Sequence, residues 1–250
     1  MTNNFNLYAQ YYDLLYQNKN YSEEVNYIEK LLVKNADTKI VKILDLGCGT
    51  GKHDFLLAEK GYKITGVDLS DEMIKIAKSA NKYNVKFILG DVRNINLNEK
   101  FDVVISLFHV ASYQTENLDF KKYLETAFNH LKAGGLFVFD FWYGPGVITD
   151  KPTKRERNFE NDLLEIKRIS NPTLYPNKNT VDVNFDVQIK NKADLSIHNV
   201  IEIHKMRYFF MPEIINFANQ IGFSVLDAFE WMTDKKLSFN SWNGIVVLKK

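Results

Sequence analysis

A single cysteine, Cys48, stands in 250 residues. It excludes an internal disulfide and gives no support to a cysteine-held metal site, so no metal is expected and a reducing compartment is compatible. No apolar stretch approaches the ~18 residues that cross a bilayer as a helix. The first thirty residues are polar and tyrosine-rich, without the basic start and apolar run of a secretory signal. These absences predict a soluble, cytoplasmic protein with no membrane partner. Neither sign of charge is in excess, with 32 Lys plus Arg against 31 Asp plus Glu. Such a chain has no overall field to gather a phosphate backbone, which disfavours nucleic acid and favours a small or mixed-charge partner.

What the chain does have is enough apolar matter for a large core, at 45% hydrophobic and 14% aromatic. One domain with an elaboration fits the length. From Ile40 apolar runs alternate with amphipathic stretches, the rhythm of strands and helices in a sheet covered on both faces. Strands are predicted at 40–46, 62–67, 85–89, 101–107 and 136–141. Helices are predicted at 51–60, 71–80 with Ser70 as cap, and 118–131. Helical connections imply parallel strands with right-handed crossovers, hence an open, doubly wound sheet.

The rhythm changes after Pro145. A basic stretch, Lys151 to Arg157, reads as a solvated turn, although it could also meet a pyrophosphate. Alternating segments follow at 181–187 and 200–208, as in antiparallel strands. A helix at 212–221 and strands at 223–231 and 242–248 close the chain. The predicted organisation is a helical segment over residues 1–35, a core over 36–149 and 209–250, and a strand-rich insertion over 150–208. Exposed strands in the insertion leave room for pairing across a homodimer.

The densest chemical signal is Asp45-Leu46-Gly47-Cys48-Gly49-Thr50-Gly51. Three glycines between a strand and a helix let the backbone approach a ligand that a Cβ would obstruct, and the helix start offers N–H groups to a carboxylate. The spacing is GxGxG, not the GxGxxG of dinucleotide enzymes. It is not a phosphate-binding P-loop either, since Leu46 and His53 stand where that motif requires Gly and Ser or Thr. Asp68 and Asp91 end the second and third strands at the edge where open sheets bind ligands. Asp68 can accept from two ribose hydroxyls, and Asp91 from an exocyclic amine.

Ile43 to Gly51, Gly66-Val67-Asp68, Gly90-Asp91-Val92 and Leu131-Lys132-Ala133-Gly134-Gly135 resemble, in order, the motifs of class I S-adenosylmethionine-dependent methyltransferases. The resemblance implies a Rossmann-like α/β fold with a doubly wound seven-stranded sheet in the order 3-2-1-4-5-7-6, the last strand antiparallel, with the antiparallel β insertion added. It implies S-adenosyl-L-methionine as cofactor. The methionine part would lie against Gly47, Cys48 and Gly49, the ribose on Asp68, and adenine near Leu69, Asp91 and Val92. Met73 and Leu107 would line the adenine and sulfonium pockets. Cys48 reads as a small side chain in a tight turn, since no paired base accompanies it.

Tyr8, Tyr12 and Tyr16 lie four apart on one helical face. The run Tyr11-Tyr12-Asp13-Leu14-Leu15-Tyr16, with Tyr21 and Glu24, resembles the lid of bacterial methyltransferases that N-methylate nucleotide-linked amino sugars. By that resemblance Tyr12 and Tyr21 would close over cofactor and acceptor. It continues through Phe108 to Tyr113 and Phe141-Trp142-Tyr143. The Asn/Asp-Pro-Pro-aromatic motif of enzymes that methylate base amines is missing after the fourth strand.

The catalytic candidates are His109, in the ionisation range of a general base, with Tyr113 and Tyr143 to orient an amine or hydroxyl. His204 and Arg207 form a second tier. The expected reaction is methylation of a small molecule, best an amino-sugar nucleotide. O-methylation of a hydroxylated metabolite or glycan precursor, a non-catalytic cofactor-binding protein and an NAD-dependent oxidoreductase stay open at this point.

Overall fold

The computed structural model describes residues 11, 12 and 14–250. Tyr8 of the tyrosine stripe, the start of the expected lid and Asp13 lie outside the described residues.

Five parallel strands form the base of the molecule: β1 (Lys42–Leu46), β2 (Lys63–Asp68), β3 (Lys86–Leu89), β4 (Phe101–Ser106) and β5 (Leu131–Tyr143). They are joined by helices α2 (Lys52–Glu59), α3 (Asp71–Ala80) and α4 (Asn117–His130), with α1 (Tyr21–Asn35) ahead of β1. After β5 come α5 (Gly144–Thr149), the insertion strands β6 (Arg155–Glu160), β7 (Leu164–Tyr175), β8 (Thr180–Asn191) and β9 (Ile197–Phe209), helix α6 (Met211–Ile221), then β10 (Ser224–Glu230) and β11 (Asn243–Lys249). β11 runs antiparallel between β5 and β10. Leaving the insertion aside, the order is β3-β2-β1-β4-β5-β11-β10, the expected 3-2-1-4-5-7-6 with its last strand reversed.

Strand periodicity separates the two faces. Along β5, Phe137, Phe139 and Phe141 enter one core with α4 and α6, while Leu136 and Val138 enter the other with α1, α2 and α3. Helix ends follow local chemistry: the Ser70 hydroxyl accepts from the Met73 N–H at 3.3 Å, and α6 stops at Gly222 with φ +106°.

Two local expectations change. Ala133-Gly134-Gly135, read as a turn, is a kinked start of β5, with Gly134 at φ +75° and its N–H on the Lys250 carbonyl at 2.9 Å. Pairing from the C-terminal strand keeps these residues in the sheet. The solvated turn expected over Lys151 to Arg157 is a strand from Arg155 onward, because Arg155 pairs Ser170 and Arg157 pairs Arg168. Nothing in the local composition announces a partner thirteen residues or so downstream.

The insertion is an antiparallel sheet, β6-β7-β8-β9, hinged on the core where Tyr208 and Phe209 of β9 run parallel to Trp142 and Tyr143 of β5. Pro172 lies beyond the last β6 pair, where β7 has become an edge and tolerates a missing N–H. Among the described residues no helix is long and apolar enough to cross a membrane.

Candidate functional site

A cavity of about 1340 Å³ lies at the carboxyl ends of β1, β2 and β4, bounded on its far side by residues of the insertion sheet. Every residue singled out above as catalytic or cofactor-binding lines it except Tyr143 and the second-tier Arg207.

The glycine segment folds as it does because the chain must turn back over β2. The N–H groups of Gly47 and Cys48 both donate to the Val67 carbonyl, at 2.7 and 3.0 Å. Gly47, Gly49 and Gly51 take φ of +94°, +55° and +79° to do so. A Cβ on Gly47 would strike Val110, whereas one on Gly49 would meet nothing within 4 Å. The one glycine is fixed by packing and the other leaves room at the cavity wall. Burial pushes the Cys48 thiol up and keeps it protonated, consistent with a packing role.

Asp68 is half-buried at the end of β2. Burial pushes its carboxyl up, while it accepts from the N–H groups of Ser70 at 2.9 Å and Gly49 at 2.8 Å. One carboxylate thus ties the second strand end to the glycine turn. Asp91 reaches the same cavity, but Arg93 grips it with contacts of 2.6 to 3.1 Å and holds it below the usual carboxylate range. Leu69 is 57% exposed at the rim, Val92 and Leu107 are buried, and Met73 packs against Tyr11 and Leu14.

Asp45 lies beneath the turn, buried against Asp54 of α2. Burial pushes Asp45 up to about 7 despite a hydrogen bond from Asp54, and burial together with the neighbouring Asp45 pushes Asp54 well up, so the proton sits on Asp54 first. The pair shares a proton at neutral pH.

The N-terminal segment covers the cavity with aromatic rings. Tyr12 and Tyr16 lie 4.8 Å apart, and Tyr16 meets the Phe108 ring edge-on at 4.8 Å. Tyr21 packs on His53, which contacts Glu24 at 2.7 Å, and Glu24 in turn holds Lys19 at 3.0 Å. Lys19 sits 3.7 Å over the Phe108 ring.

The loop after β4 carries Phe108 and His109 at φ +68° and +66°, a strained pair for residues with a Cβ. It presents His109 with its N–H on Asp140 at 2.9 Å and its Nδ1 2.7 Å from the second carboxylate oxygen. Asp140 is buried at 1% exposure and fixes the loop through the His109 backbone N–H, while the nearby Nδ1 makes no hydrogen bond among the described residues. Tyr113, on the following 3-10 turn (Val110–Tyr113), places its hydroxyl 2.6 Å from His204 Nδ1.

Tyr143 packs against Phe141 in the core, and Trp142 lines the cavity in its place. Alternate side chains of β5 face opposite sides, and the sequence does not say which. Of the second tier, His204 lines the cavity while Arg207 is tied to Glu213 and, at 2.7 Å, to Asn117.

Sequence reasoning missed Asp140, Trp142, Glu202 and Arg168. Glu202, His204 and Met206 alternate along β9, and that period was the available signal for Glu202. Arg168 lines the cavity with Arg155 and Arg157. It lies 5.3 Å from the Phe159 ring and 4.9 Å from Phe185, and its Nη1 is buried without a hydrogen-bond partner among the described residues.

Comparison with known proteins places this geometry. A family model described as "Methyltransferase domain" matches residues 43–135, which contain the glycine turn, Asp68, Asp91 and Tyr113. YqeM of Bacillus subtilis, which carries a provisional methyltransferase name, is 33% identical over 136 residues, and the alignment spans about half of each chain, 53%. The dTDP-3-amino-3,4,6-trideoxy-alpha-D-glucopyranose N,N-dimethyltransferase of Streptomyces venezuelae is 25% identical over 208 residues, 82% of this chain and 85% of that one. An S-adenosylmethionine-dependent methyltransferase from Clostridium acetobutylicum superposes with a TM-score of 0.83 at 23% identity, covering 98% of both chains.

Proposed function

We propose that this chain, which by matched domain and fold is of the class I S-adenosylmethionine-dependent methyltransferase type, methylates the amino group of a sugar nucleotide. The observation that carries the acceptor class is Arg168. Arg168 lines the cavity with Arg155 and Arg157, and one of its guanidinium nitrogens is buried without a hydrogen-bond partner among the described residues, which is costly unless an anion completes it. A diphosphate supplies that anion with the bidentate oxygens an Arg prefers.

The residues present fit the methyl donor. The open side of Gly49 leaves room for the donor's amino-acid part, Asp68 offers a carboxylate to ribose hydroxyls, and Leu69 with Val92 offers apolar faces to adenine. The rings of Tyr12, Tyr16 and Phe108 suit a sulfonium, since cation attraction to a ring is worth about 0.5 to 2 kcal/mol. S-adenosylmethionine supplies an electrophilic methyl group for in-line displacement. Alignment and exclusion of water by this chain's own residues then do most of the catalysis.

O-methylation is the second reading, favoured by the His109 imidazole at the cavity wall beside the buried Asp140 carboxyl, a pairing that suits deprotonation of a hydroxyl. Calorimetry with S-adenosylmethionine and S-adenosylhomocysteine tests the donor site. Micromolar binding to wild type, weakened by about 1.5 kcal/mol or more in Asp68→Ala, is expected. Binding to neither compound refutes the reading.

A further inference from the structure

Resting on the amine-methylation reading, we infer that Glu202 and His204 are positioning residues that draw a proton from an ammonium acceptor through the Tyr113 hydroxyl. The chain of contacts runs inward from the cavity wall. Tyr113 Oη lies 2.6 Å from His204 Nδ1, His204 Nε2 lies 3.3 Å from Glu202 Oε2, and Tyr11 Oη donates to Glu202 Oε1. Glu202 is 1% exposed and His204 8%; His204 lines the cavity, and Glu202, two residues earlier on β9, shares its side of the strand.

The order of donors follows from chemistry. The Glu202 carboxylate can only accept, so the neutral imidazole carries its proton on Nε2 and its Nδ1 accepts from the Tyr113 O–H. Burial pushes the Tyr113 phenol up, so it stays neutral and passes a proton on instead of keeping a charge. When a primary ammonium donates an N–H to Tyr113 Oη, the phenol hydrogen moves to Nδ1. His204 becomes an imidazolium held by Glu202, and the acceptor nitrogen regains its lone pair. That nitrogen then bonds the methyl carbon as the carbon–sulfur bond breaks and its electron pair returns to sulfur. After the product leaves, His204 Nδ1 returns its proton to Tyr113 Oη as the phenol gives one to water in the cavity, so the cycle releases one proton from the ammonium and leaves a methylated ammonium.

The same sheet orients the acceptor. Across the cavity face Arg155, Ser170, Phe185 and Glu202 are register partners in successive strands, with Arg168 and Val187 one row away. Strands lie about 4.8 Å apart, so the arginines on β6 and β7 stand roughly 10 to 15 Å from β9. A diphosphate at the first edge and an amine at the second span that distance through one sugar ring. His204 meets Glu202 on its own strand, Tyr113 on the 3-10 turn and the Phe185 ring on β8, while Tyr11 with Arg168 of β7 stands beside Glu202, and Tyr16 and Asp68 act on Tyr113.

Two measurements test this. Nitrogen-15 NMR of the histidine-labelled full chain with S-adenosylhomocysteine is expected to show neutral His204 with its proton on Nε2, and Glu202→Gln is expected to make that ring harder to protonate. A proton on Nδ1 of the neutral ring overturns the inference. In turnover of dTDP-3-amino-3,4,6-trideoxy-alpha-D-glucopyranose, His204→Gln and Tyr113→Phe are expected to lose about thirtyfold at about pH 7, and less than about threefold at about pH 9.5, where solvent itself leaves a far larger share of the amine neutral. An equal loss at both pH values overturns it as well. Failure of every amino-sugar nucleotide to turn over refutes the underlying functional reading instead, while the tautomer result still judges the hydrogen-bond chain.

Discussion

The two walls of the cavity are built on different principles. The wall made by β1, β2, β3 and their following turns gathers its groups within about fifty residues of chain, and each lies at a strand end where the backbone itself does the holding: Asp68 is fixed by the N–H groups of Gly49 and Ser70. The wall made by the insertion gathers side chains that meet only by pairing across strands, as Arg157 meets Arg168 and Phe185 meets Glu202. The first wall suits a ligand that a whole family shares. The second changes with single substitutions, which is what specificity for one acceptor requires.

Breaking the first wall is expected to have the largest effect. Gly47→Val forces a branched side chain into φ +94° and onto Val110, and should lower unfolding stability in urea by about 2 to 4 kcal/mol while abolishing S-adenosylhomocysteine binding. Unchanged binding would mean the turn is not the donor site.

Next comes the carboxyl pair under that turn. Burial raises Asp45 to about 7 in the folded chain, above the usual carboxylate value of about 3.9. The stability tied to its proton is therefore full below about pH 4 and is lost as pH rises through about 7. Asp54→Asn supplies a neutral donor in place of the shared proton. It should shrink this loss by about 1 to 3 kcal/mol, read as a smaller fall in unfolding stability between about pH 4 and pH 8 than wild type shows. An unaltered pH dependence would contradict the shared proton.

On the second wall, Arg168→Gln is expected to raise the KM for an amino-sugar nucleotide by about thirtyfold with S-adenosylhomocysteine affinity unchanged, since one charged hydrogen bond is worth about 1.5 to 3 kcal/mol. A parallel loss of both affinities would erase the division between the walls. The smallest effect belongs to Cys48→Ala, where activity should stay within about threefold because the buried thiol takes no part in chemistry.

That same division decided what could be read in advance. The glycine turn, Asp68 and Asp91 are local patterns, so the groups of the first wall could be named from residues close in sequence, while the strand order came from the resemblance to a family. Arg93 on Asp91 escaped notice because a contact two residues away looks like any surface charge. Trp142 was displaced by Tyr143 through a single step of strand parity. Asp140 and Glu202 depend on partners 31 and 191 residues away, and Arg168 reaches the cavity through a strand pairing with Arg157 whose register the local sequence does not state. Tyr113 was visible, but its partner His204 lies 91 residues further on.

The most direct test is methyl transfer itself, read by mass spectrometry after incubating the full chain with S-adenosylmethionine and either dTDP-3-amino-3,4,6-trideoxy-alpha-D-glucopyranose or its 3-hydroxy counterpart. Methyl groups on the amine and none on the hydroxyl are the predicted result; methylation of the hydroxyl compound alone, or of neither, would contradict an amine-directed methyltransferase.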